Sequence, residues 1–112
     1  MVRGVVIDVY GKKTTTQFNN ETALSTLQRK VGGYVEALRL PSLELTLWCD
    51  EEGIANSREP NFTATKIIYE HGYSSQESVV VGDVVITSDK VDEDGNILDM
   101  TNEQLAFLLE YK

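Results

Sequence analysis

The chain predicts an α+β fold: one small domain, residues 1–112, with a mixed, mostly antiparallel sheet and about three helices. Three observations carry this. Val5, Ile7 and Val9, and later Leu43, Leu45 and Leu47, recur with the period of two that places strand residues on one face. Leu24, Leu27 and Val31, and then Ala64, Ile67, Ile68 and His71, follow helical spacing. Val79 to Ile86 is almost continuously apolar, as a strand covered on both faces must be. Strands and helices of this kind bury their apolar sides against one another in layers.

Val2 to Tyr10 reads as the first strand, Tyr10 to Lys13 as a turn, and Thr14 to Phe18 as the hairpin return. Asn20 suits a helix N-cap. Arg29 and Lys30 fall in that helix's last turn, where cations suit its dipole, and Gly32 follows as a C-cap. Tyr34 to Leu40 and Leu43 to Cys49 form an antiparallel pair about Pro41-Ser42, so Val31–Glu36 and Asp50–Gly53 should come together at its outer ends. Asp50 to Gly53 is a turn and Ile54 to Glu59 a loop. Pro60 suits the first position of a second helix that Gly72 closes. The apolar run should be central and bulged at Gly82. Asp92 to Asn96 is a turn, and Thr101 with Gln104 makes a capping box for a last helix through Leu105, Leu108 and Leu109.

Length and a 41% hydrophobic content support a real core, with about two-thirds of the unfolded surface buried. One cysteine, Cys49, precludes an internal disulfide and fits a reducing compartment. Met1 to Tyr10 lacks the apolar stretch of a signal peptide, and no run is long enough to span a bilayer. The expectation is a cytoplasmic protein without membrane association. Charge is uneven: residues 1–56 hold seven acids and six bases, residues 57–112 eleven acids and four bases. Phosphate neutralisation needs clustered Lys and Arg, so direct nucleic-acid binding is not expected. The acidic half either serves solubility or meets a basic partner.

Chemistry-bearing groups are sparse. Asp92, Asp94, Asn96 and Glu103 occupy positions 1, 3, 5 and 12 of a calcium-loop frame, but position 6, which requires glycine, is Ile97. A hairpin turn at Asp94-Gly95 explains them better, and neither metal nor cofactor is expected. Glu51 and Glu52, if extended, point to opposite faces. Glu36 can converge with an acid of the 50–52 group, or these acids form a solvated turn with an ion pair to Arg39 or Arg58. His71 sits at a helix end, and Cys49 reads as a small hydrophobe. No nucleophile motif is present, so no catalytic residue is assigned.

The strings Val31-Gly32-Gly33-Tyr34-Val35-Glu36 and Asp50-Glu51-Glu52-Gly53, followed by Asn61–Thr65 and Val81–Val85, resemble a family of small phage and bacterial proteins. That family is grouped as a domain of unknown function and carries VGGYIE-like and NEEG-like strings. Asp50 departs from it, since asparagine is usual there. The resemblance spans residues 24–87 and implies a phage or mobile-element context, without a chemistry.

The leading expectation is a non-catalytic accessory protein that binds a small, nucleotide-like host ligand or a host protein. Its candidate ligand-binding set is Gly32, Gly33, Tyr34, Glu36, Trp48, Asp50, Glu52, Asn61 and Thr65. Exposed amides at a helix start attract phosphate, and Tyr34 and Trp48 offer stacking faces. Trp48 lies opposite Leu43, Leu45 and Leu47, which places it on a surface or a homo-oligomer interface. The alternative is an acidic decoy, or DNA mimic, that inhibits a host protein; a small enzyme is the third reading.

Overall fold

In the computed structural model, which describes residues 1–72 and 79–111, five strands form one sheet and three helices pack on its two faces. The strands are β1 (Val2–Ile7), β2 (Lys13–Phe18), β3 (Val35–Leu40), β4 (Leu45–Asp50) and β5 (Val84–Ser88), in the spatial order β2-β1-β5-β4-β3. Every pairing between them is antiparallel, so the parallel component that a mixed sheet implies is not found. The helices are α1 (Ala23–Val31), α2 (Phe62–His71) and α3 (Asn102–Glu110).

The apolar run takes the central place expected of it, because β5 is paired on both sides and buried throughout. Its start differs. Gly82 adopts a φ of 80° and breaks the run instead of bulging it. Val81 before the break bridges to Pro60, and β5 begins only at Val84. Pro60 therefore precedes α2 as a bridge residue, and Asn61 is the N-cap, its side chain accepting from the Ala64 amide.

The first helix also starts differently. Asn19, not Asn20, caps a single 3-10 turn over Asn20–Thr22 that leads into α1. Asn20 instead clamps Ile97, donating to its carbonyl and accepting from its amide. Gly32 ends α1 in the left-handed conformation, as expected, and α3 carries the full Thr101–Gln104 capping box. The β3–β4 connection is a 3-10 turn over Pro41–Leu43 with Glu44 at φ 55°, so β4 starts two residues later than the alternation suggests.

Burial divides the sheet into two faces. Val5, Ile7, Leu45, Leu47, Val84 and Ile86 pack against Ala64, Ile67 and Ile68 of α2 and Leu108 of α3. The other face is smaller: Leu27 and Val31 of α1 cover Val85, with Val6, Val35 and Trp48 at the margin. A chain segment after β5, pinned by the Asp92–Asn96 turn, flanks α1 on that side.

Candidate functional site

β3 and β4 pair with Val35 opposite Asp50, and the Glu51 amide donates to the Tyr34 carbonyl at 2.8 Å. The glycine-rich and acidic strings thus meet, as the short connection between the strands requires. Their junction is built on Asp50, whose side chain is only 1% exposed. It accepts from the Glu52 amide (2.8 Å), Asn56 Nδ2 (3.1 Å) and Arg58 Nε (3.1 Å). Burial alone would raise this carboxyl, but those bonds and the Arg58 charge outweigh it and hold Asp50 below the ordinary aspartate range. Arg58 also donates to the Gly32 carbonyl at 2.7 Å.

The glycines serve the same junction. Gly32 needs its positive φ, and a Cβ on Gly33 would lie 3.1 Å from Asp50 Oδ1. Asn61 is fully buried; its Nδ2 donates to the Ile7 and Gly82 carbonyls while Oδ1 accepts from Ala64. Thr65 Oγ1 accepts from the Val80 amide at 2.9 Å. Asp50, Asn61 and Thr65 therefore have polar groups engaged inside the protein, where their hydrogen bonds brace loops. Gly32, Gly33 and Tyr34 line neither of the two large cavities; Tyr34 is exposed at the surface.

The larger cavity, about 670 Å³, brings Glu36, Asp50 and Glu52 together. It opens between β3–β4, the turn after β4, Ile68 of α2 and Val79–Val81. Leu38, Ile68 and the valines supply apolar walls, while Glu36, Glu51 and Glu52 supply carboxylates. Glu51 joins Glu52 there because residues 51–57 form turns, not the extended segment that would have separated them. Cys49 lies in the wall. Burial, and then the charges of Glu36 and Asp50, push its thiol up to about 11, so it stays protonated at neutral pH.

The second cavity, about 480 Å³, is on the α1 face. Leu24 and Leu27, Ala37 and Arg39, Trp48, and Val91 with Ile97 are among its walls. Trp48 is half-buried, and its indole N–H donates to Thr87 Oγ1 at 2.9 Å. It lies on the expected strand face, but α1 shares that face, so Trp48 is one wall of this groove. Arg39 is held by Asp89 at 3.0 Å. Sequence reasoning missed Leu38, Ile68 and Val79–Val81 as cleft walls, since nothing local distinguishes them from core.

The Asp92 carboxylate is spent on its own turn, accepting from Asp94 and Asn96 amides. Among the described residues no group of three or more His, Cys, Asp or Glu is placed to hold a metal ion, and no helix is long and apolar enough to cross a membrane.

Fold and cavities together define a small α+β protein whose sheet edge is flanked by two ligand-sized recesses. The chain belongs to DUF3846, a domain-of-unknown-function family whose profile matches residues 2–112. No curated protein and no solved structure matches it.

Proposed function

We propose that this protein is a non-catalytic binding module, of phage or mobile-element type and acting in the host cytoplasm, that takes a cationic group in the cleft beside β3. The partner is a small amine-bearing host ligand or a basic stretch of a host protein. One observation carries the reading: among the described residues the cleft lining holds four carboxylates and no Lys, Arg or His. Asp50 is neutralised by Arg58, which leaves Glu36, Glu51 and Glu52 above apolar walls. A nucleotide-like ligand is disfavoured by the same chemistry, because its phosphates would face these carboxylates while Arg58 is committed to Asp50 and Gly32.

Burial makes the Cys49 thiol a poor nucleophile, so no covalent role is assigned to it. The acidic-decoy reading is less well supported. The described acids of the second half are dispersed: Asp92, Glu93 and Asp94 lie in the hairpin beside the α1-side groove, Glu70 lies on α2 and Glu103 and Glu110 on α3 on the opposite face, and Asp89 and Asp99 are paired with Arg39 and Arg3.

Native mass spectrometry of the protein purified from cells, together with spermidine titration, tests the proposal. Expected are a carried cationic species or saturable spermidine binding, each lost in the Glu36→Gln/Glu52→Gln double variant. Spermidine binding unaffected by that variant, with no carried species, would overturn the assignment.

A further inference from the structure

β3 is an outer strand of the sheet, hydrogen-bonded to β4 on one side; among the described residues no strand pairs with its other side. Its side chains alternate between the two faces, and the alternation assigns them to different cavities. Glu36 and Leu38 line the cleft on the α2 face, whereas Ala37 and Arg39 line the groove on the α1 face. The free edge of β3 is therefore the ridge between two recesses, each large enough for a side chain.

We propose that β3 accepts an extended segment of a partner protein as an added strand, and that this segment alternates basic with apolar residues. The proposal rests on the binding-module reading above and names the form its partner takes. Unpaired main-chain groups on a sheet edge are a template for strand addition, and pockets for alternate side chains give it specificity.

Directly opposed residues of neighbouring strands share a face. A residue opposite Glu36 or Leu38 thus enters the cleft with Glu36, Glu51 and Glu52, where a lysine or arginine is matched. Residues between them face Ala37 and Trp48, where the Arg39 charge is already met by Asp89, so apolar side chains suit that side. The net charge of −8 favours encounter with a basic segment.

A second copy of the chain fits less well. Antiparallel β3–β3 pairing would set Glu36 opposite Glu36, Leu38 or Leu40 of the other copy, and never opposite Arg39, because only residues on the same face oppose one another.

The test uses the intact protein and fluorescent hexapeptides that alternate lysine with valine or phenylalanine. Controls are block arrangements of the same composition and peptides N-methylated at alternate amides. Fluorescence anisotropy and hydrogen exchange are read together. Expected are at least tenfold tighter binding of an alternating peptide than of its block isomer, at least tenfold loss on N-methylation, and new protection of β3 amides. Equal binding of block or N-methylated peptides overturns strand addition. So does protection of the outward β3 amides in the free protein, or protection that depends on protein concentration, which would mean a second copy occupies the edge. Spermidine binding without peptide binding removes this inference and leaves the cleft assignment standing; binding of neither removes both.

Discussion

Arg58 Nε lies 3.1 Å from Asp50 Oδ2, and this partly buried ion pair is what joins the chain's two most distinctive strings. From there Arg58 reaches the Gly32 carbonyl, so the end of α1, the end of β4 and the turn over residues 51–57 are tied at one guanidinium. The turn so fixed is the wall that presents Glu51 and Glu52 to the cleft.

Removing the guanidinium should therefore be costly. Breaking a buried ion pair by deleting one partner costs about 3–5 kcal/mol. Arg58 is one-third exposed, which places Arg58→Met near the lower end, at about 3 kcal/mol. Asp50→Asn removes the buried charge along with its partner's task, and should cost less, about 1–2 kcal/mol. Urea unfolding of both variants checks the order; equal losses would mean that the charge pairing adds nothing to the hydrogen bonds.

The same carboxylate gives stability a pH dependence. The folded-state pKa of Asp50 lies below its ordinary value, and so does that of Asp99, where burial opposes but the Arg3 bonds and charge prevail. Each stabilises the fold in its ionised form. That contribution is complete above the unfolded aspartate value near 3.9 and is lost as pH falls from there through the folded values. Thermal melts should be nearly flat with pH around neutrality and fall steeply below about pH 4. Arg58→Met should flatten part of the acid limb, because Asp50 then loses a partner that holds its proton off.

Much of this architecture can be read from the sequence, and the failures share a cause. Gly32 and Thr101–Gln104 are local signals with local consequences, and both cap helices as their types require. The apolar run was sufficient to place β5 centrally, since few surface positions tolerate such a segment. Asn20 and Asn61 look alike in sequence, as polar residues near helix starts. Asn61 caps its helix while also spanning to Ile7 and Gly82, whereas Asn20 gives up its cap to hold Ile97, 77 residues away. Long-range partners of this kind leave no local trace. The cleft is half legible for the same reason: Glu36 and Glu52 stand out as charges, while Leu38, Ile68 and Val80 resemble any core residue.

Alanine at Gly33 should report on the junction independently of charge. Its Cβ would stand 3.1 and 3.2 Å from the two Asp50 carboxyl oxygens, which their bonds prevent from moving aside. Overpacking of this sort costs about 1–3 kcal/mol. At Gly32 a left-handed backbone that disfavours any Cβ by roughly 1–2 kcal/mol is joined by a steric term, because the added Cβ would stand 2.9 Å from Arg58 Nη2. Chemical denaturation of both variants, singly and with Arg58→Met, should show coupling for both, since a Cβ at Gly32 meets the Arg58 guanidinium and one at Gly33 meets the carboxylate it holds. Additive Gly33 and Arg58 losses would contradict the shared junction.

Cys49 should be chemically quiet. With its thiol held near 11 and its surface 7% exposed, little thiolate is present or reachable at pH 8. Labelling by a thiol reagent should be at least tenfold slower in the folded protein than in urea. It should speed up in Arg58→Met only as far as unfolding is increased. Rapid labelling of the folded wild-type protein would show that the cleft wall opens to solvent.

Cleft carboxylates and hairpin carboxylates make opposite forecasts for cation binding, and they can be separated with one panel. Surface charge attraction is screened over about 8 Å at physiological ionic strength. If Glu36, Glu51 and Glu52 act together above apolar walls, Glu36→Gln/Glu52→Gln should weaken spermidine binding at least tenfold at both low and physiological salt, since a hydrogen bond to a charged group is worth roughly 1.5–3 kcal/mol. Neutralising Asp92, Glu93 and Asp94 should then change affinity less than twofold at physiological salt. A decoy surface would invert this order: the hairpin variant would lose most of the binding, the cleft variant little, and salt would abolish what remained. Isothermal titration of both variants at two salt concentrations gives the answer, and loss in the hairpin variant alone would move the site from the β3 cleft to the hairpin.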